Sequence, residues 1–107
     1  MKKLVSLCCA VLLLCAACQQ EPSLEDYGQR YQANNKDLES LQMVVNRLEY
    51  GEDTAVVRAI LGEPIDFGFD YRYLLDSIGP NGCAVGAVFH IDDEGKIGER
   101  WIGEICE

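Results

Sequence analysis

The most regular alternation in the chain runs from Ile65 to Asp76. Ile65, Phe67, Phe69, Tyr71, Tyr73 and Leu75 fall on one side; Asp66, Asp70, Arg72 and Asp76 fall on the other. A period of two predicts one half-buried β-strand, with the aromatic row as core rather than as a binding platform. Upstream the period lengthens. Leu38, Leu41, Val45 and Leu48 share a helical face, with Asn35 as the expected N-cap, Asp37 and Glu39 in the first turn and Gly51 as the stop. Glu52-Asp53-Thr54 opens a second helix, Ala55 to Leu61, with Val56, Val57 and Ile60 inward; Gly62 ends it and Pro64 prevents its continuation. Two short helices joined by a tight turn form an αα-hairpin.

After the breaker-rich loop Ser77–Gly82, two apolar runs flank Asp92-Asp93-Glu94-Gly95-Lys96, which has the chemistry of a hairpin turn. Cys83 lies eleven residues before Glu94 and Cys106 twelve after it, so antiparallel pairing sets the two cysteines opposite each other. On the first strand Cys83, Val85, Ala87, Phe89 and Ile91 form the inward set. A three-residue turn pairs Ile91 with Ile97 and turns Trp101 and Ile105 inward. The disulfide demands the opposite parity, and a bulge near Gly98 or Gly103 reconciles the two. The expected architecture is therefore α+β: two short helices on a three-stranded antiparallel sheet (ααβββ), residues 37–107, with one disulfide, Cys83–Cys106.

The first 36 residues read differently. Lys2 and Lys3, the apolar run Leu4–Leu14 and the small pair Ala16-Ala17 make residues 1–17 a signal peptide, too short for a membrane span. Residues 18–36 are polar, with Pro22, Gly28 and Asn34-Asn35, and are expected to be a flexible tether. Leu24, Tyr27 and Tyr31 stand at helical spacing within it.

Cysteine-Ala-Ala-cysteine at 15–18 resembles the bacterial lipobox, with Cys15 where leucine is usual. That resemblance implies cleavage between Ala17 and Cys18 and attachment of diacylglycerol and an N-acyl chain to Cys18. Gln19 in place of aspartate implies sorting to the outer membrane, with the domain facing the periplasm. Once Cys8, Cys9 and Cys15 leave with the signal and Cys18 carries lipid, Cys83 and Cys106 remain, and an exported pair is expected to be bridged. A structural zinc site needs four ligands, and His90 is the sole histidine, so no metal site is expected.

The chain has nine basic and eighteen acidic residues; loss of Lys2 and Lys3 leaves the mature chain at −11. That balance argues against nucleic acid and against a basic patch on anionic lipid. His90 with Asp92, Asp93 and Glu94 is the best catalytic set available. The histidine falls on a strand and the acids in a turn, so no nucleophile–base pairing follows, and an enzyme is not expected. The acidic turn also lacks the ligand spacing of a calcium loop.

Leu48-Glu49-Tyr50-Gly51 through Val57 to Leu61-Gly62-Glu63-Pro64 resembles the stretch of the SmpA/OmlA (BamE) lipoproteins in which a glycine opens the second helix and Leu-Gly-x-Pro closes it. Tyr71, Tyr73, Phe89 and the Asp93–Ile97 turn extend the likeness. The layout is also similar to the repeat of β-lactamase-inhibitory proteins. These resemblances imply a non-catalytic, protein-binding lipoprotein, an outer-membrane assembly accessory or scaffold; the alternative is an envelope enzyme inhibitor or exclusion factor. The expected partner surface is the polar sheet face and edge, Asp70, Arg72, His90 and Arg100, or the 77–82 loop. Arg72→Glu is expected to disturb partner capture without lowering thermal stability.

Overall fold

The computed structural model of the chain describes residues 21–35 and 37–106. The signal peptide, the Ala17–Cys18 cleavage point and lipid attachment at Cys18 fall outside the described residues. The fold is α+β with one disulfide, Cys83–Cys106, whose Cα atoms are 5.3 Å apart. Among the described residues, three helices precede four strands: α1 (Leu24–Ala33), α2 (Leu38–Arg47), α3 (Thr54–Leu61), β1 (Ile65–Asp66), β2 (Asp70–Ile78), β3 (Ala84–Ile91) and β4 (Ile97–Ile105). The sheet is antiparallel in the order β1-β2-β3-β4.

The additional helix is α1, which corrects the expected 18–36 tether over residues 24–33. Ser23 and Asp26 form a capping box: the Ser23 hydroxyl accepts the Asp26 N–H at 3.2 Å and the Asp26 carboxylate accepts the Ser23 N–H at 3.0 Å. Tyr27 and Tyr31 are buried. The Tyr31 hydroxyl donates to the Leu74 carbonyl at 2.6 Å, and its ring meets Tyr73 edge-on. Tyr73 in turn donates to the Gly62 carbonyl at 2.9 Å and packs edge-on against Phe89. Desolvation, the leading cause at Tyr31 and at Tyr73 alike, pushes both phenols above the ordinary tyrosine range.

In α2 the N-cap is Asp37 rather than Asn35: its carboxylate accepts the Ser40 N–H at 3.0 Å and the Ser40 hydroxyl at 2.8 Å. Leu41, Val44, Val45 and Leu48 are buried while Leu38 is exposed, so the buried stripe is rotated toward Val44. In α3, capped by Asp53, the buried residues are Val57, Ile60 and Leu61, with Val56 partly buried.

The single strand expected over 65–76 is two. Ile65 pairs with Arg72 and Asp66 with Tyr71, so the chain reverses through Phe67-Gly68-Phe69. The Asp66 carboxylate accepts the Gly68 N–H at 2.7 Å, and Gly68 takes φ +84, a left-handed conformation that glycine adopts without strain. Tyr71, Tyr73 and Leu75 remain in the core, but Phe67 and Phe69 are 45% and 60% exposed.

At the C-terminal hairpin Ile91 faces Ile97, as the turn chemistry requires, but Phe89 faces Arg100. The register shifts between these pairs, which places a bulge at Gly98-Glu99 and brings Ala84 opposite Ile105 beside the disulfide. The bulge inverts the parity beyond it. Trp101 therefore faces Val88 on the sheet surface away from the helices and is 47% exposed, correcting its expected inward placement; Ile105 is turned the same way. Ile97, before the bulge, is fully buried.

Candidate functional site

The helices cover one face of the sheet, where Phe89, Ala87, Tyr71 and Tyr73 lie. The opposite face is open. Strand register places Ile65, Arg72, Val88 and Trp101 in one row across it, from β1 to β4, and Leu74, Gly86 and Gly103 in the next. Gly86 and Gly103 leave the floor of the second row low. Leu74 leans over Gly86, and Trp101 lies against Gly103. Ile65, Phe67, Arg72, Leu74, Ala84 and Ile105 surround a groove of about 280 Å³ on this face.

A charged pair is built into the apolar surroundings. Arg72 Nε faces Asp70 Oδ1 at 3.6 Å, with both side chains largely buried, and the Arg72 guanidinium stacks 4.3 Å above the Phe67 ring. His90 is exposed and pairs in register with Asp70. The structure thus brings Asp70, Arg72 and His90 to one face. That face is not polar, as expected, but an apolar surface with an ion pair set into it. Arg72 is also too enclosed for Arg72→Glu to leave stability untouched, because a second carboxylate would meet Asp70 with little water between them.

Arg100 is elsewhere. The Gly98-Glu99 bulge turns it to the helix face, where its Nε donates to the Val45 carbonyl at 2.7 Å. It fastens β4 to α2 and is corrected from the expected partner surface.

The 77–82 loop is also held, by a residue that spacing did not single out. The Glu104 carboxylate accepts the Asn81 N–H at 2.8 Å, the Cys83 N–H at 2.9 Å and the Asn81 side-chain amide at 3.2 Å. Glu104 lies close to the two cysteine sulfurs, but those are bonded to each other. The trio is a clamp on the loop.

Asp92 organises its own turn, its carboxylate accepting the Glu94 and Lys96 N–H groups at 2.9 Å each. Lys96 pairs with Asp53 at 3.1 Å and ties the turn to the start of α3. Of the acidic residues beside His90, Asp92 thus serves the backbone of the hairpin. Among the described residues, no helix is long and apolar enough to cross a membrane.

Comparison of the chain with protein-family models, with curated proteins and with solved structures finds no match in any of the three.

Proposed function

We propose that this chain is a non-catalytic, lipid-anchored protein of the bacterial outer membrane that captures a protein partner on the open face of its sheet. The observation that carries the reading is the apolar surface around the Asp70–Arg72 pair: Ile65 and Phe67 are exposed there beside a fixed guanidinium. Aromatic and arginine side chains of this kind anchor interfaces, because they give up large apolar area and lose little conformational freedom when already stacked. The lipobox resemblance at Cys15–Cys18 supports the membrane attachment. An outer-membrane assembly accessory or scaffold fits these features.

A second reading has its own observation. Phe67 and Phe69 project from a tight turn at the end of the β1–β2 hairpin, on a mature chain of net charge −11. A convex aromatic tip on an acidic domain suits insertion into the cleft of a basic envelope hydrolase. Crosslinking of intact cells carrying a tagged copy, with Cys18→Ala as control, separates the two. Enrichment of outer-membrane barrel assembly components, lost in the control, supports the accessory. A single soluble hydrolase in both samples supports the inhibitor; the absence of both enrichments contradicts partner capture.

A further inference from the structure

The orientation of the domain at the membrane, which rests on the lipid attachment proposed above, starts from Glu21. This residue is fastened to the folded domain: its carboxylate pairs with Arg47 at 2.8 Å, and Arg47 also donates to the Pro22 carbonyl at 3.4 Å. Glu21 stands three residues after Cys18. Three residues reach at most about 11 Å even when fully extended. An anchor at Cys18 therefore holds the C-terminal end of α2 close to the lipid headgroups, rather than on a long leash.

That end of the domain carries an exposed aromatic pair. Tyr50, three residues beyond Arg47, is 76% exposed, and its hydroxyl lies over Gly98 on β4. Tyr50 and Trp101 line a groove of about 470 Å³ with Gly98, Glu99 and Arg100. The Arg100–Val45 hydrogen bond locks this stretch of β4 to the last turns of α2. Tyrosine and tryptophan each join an apolar ring to a polar group and partition to the headgroup level of a bilayer.

The geometry points to a bilayer-contact site: Tyr50 and Trp101, at the β4 edge, rest in the headgroup layer of the membrane that holds the Cys18 lipid. Glu49, Glu52 and Glu99 lie near the pair in sequence, and with the acidic balance they favour a zwitterionic lipid surface over an anionic one. In this arrangement the sheet stands edge-on, with β4 toward the bilayer and β1 away from it. Three strand spacings, roughly 14 Å, separate the two edges. The Phe67 groove is then left clear of lipid for a partner.

Trp101 is the sole tryptophan, so its fluorescence reports this site alone. With Cys83 and Cys106 bonded to each other, Cys18 is the one free thiol of the unacylated mature chain. The experiment couples that thiol to a maleimide lipid in phosphatidylcholine vesicles. The expected result is a blue shift of Trp101 emission on coupling and quenching by brominated phosphatidylcholine, with weaker quenching in Tyr50→Ser. Unshifted, unquenched emission overturns the inference, as does a blue shift without bromine quenching, which self-association would give. The mass of the chain extracted from its own membranes tests acylation separately, so failure of the lipid reading and failure of the contact are distinguishable.

Discussion

Gly28 packs so closely on Ile60 that a β-carbon at position 28 would stand 2.1 Å from the Ile60 carbonyl oxygen. This contact seats α1 on α3 and makes residues 24–33 part of the domain. Gly28→Ala sets a gain in helix propensity of up to about 1 kcal/mol against an overlap with backbone, which cannot move aside as a side chain can. A net loss of about 2 kcal/mol is expected by chemical denaturation. Hydrogen exchange should rise in α1 well before β3. An unchanged midpoint would contradict the packing.

Cys83–Cys106 and Glu104 secure the same end of the sheet. Replacing both cysteines by alanine is expected to cost roughly 3 kcal/mol, from the larger freedom of the unfolded chain. Glu104→Ala leaves the disulfide in place but removes the acceptor of the Asn81 and Cys83 N–H groups. Its expected effect is local: faster amide exchange at Asn81 and Cys83, with a smaller fall in stability of about 1 kcal/mol. Equal global losses in both variants would show that the loop and the sheet unfold together.

Acid should weaken the fold through its helix caps. Asp26, Asp37 and Asp53 are each held below the ordinary carboxylate value of 3.8, chiefly by accepting backbone N–H groups of Ser23, Ser40 and Ala55. A lowered folded-state value means that the fold favours the ionised form. The contribution is therefore complete above the unfolded value and is lost as pH falls through the folded one. Urea midpoints should hold steady from neutrality to about pH 5 and drop below about pH 4, with a shallower drop in Asp37→Asn. A steady midpoint through that lower range would contradict the cap assignment.

Arg72 and Phe67 touch, yet their substitutions should separate. Arg72→Glu faces Asp70 with a like charge in a largely buried setting and is expected to cost about 3 kcal/mol. Phe67→Ser removes a half-exposed ring at a hairpin tip and should change stability by about 0.5 kcal/mol or less, while abolishing partner capture. Loss of stability in Phe67→Ser comparable to that in Arg72→Glu would make the ring structural.

Much of the framework was legible in the sequence because local chemistry determined it. The α3 boundaries follow from Asp53 and Gly62, the Ile91–Ile97 pairing from the turn, and the disulfide from the count around Glu94. The errors share a cause. Alternation from Ile65 to Leu75 cannot distinguish one strand from two that fold back on each other, and Gly68 was the available sign of the reversal. In α1 the polar composition masked Tyr27 and Tyr31, and Gly28, read as a breaker, is the point of closest helix contact. The side of Trp101 depended on where the bulge fell, which moved Arg100 to the helix face and put the tryptophan at the β4 edge of the open one. The low floor at Gly86 and Gly103 exists only once the strands are paired.

Partner capture by the open sheet face is tested most directly in living cells, with a photo-crosslinking amino acid at Phe67 and, as control, at Gln42, which is exposed on α2. The expected result is a discrete covalent adduct with one envelope protein from position 67 and none from position 42. No adduct at 67, or the same adducts from both positions, would contradict a binding role for this face.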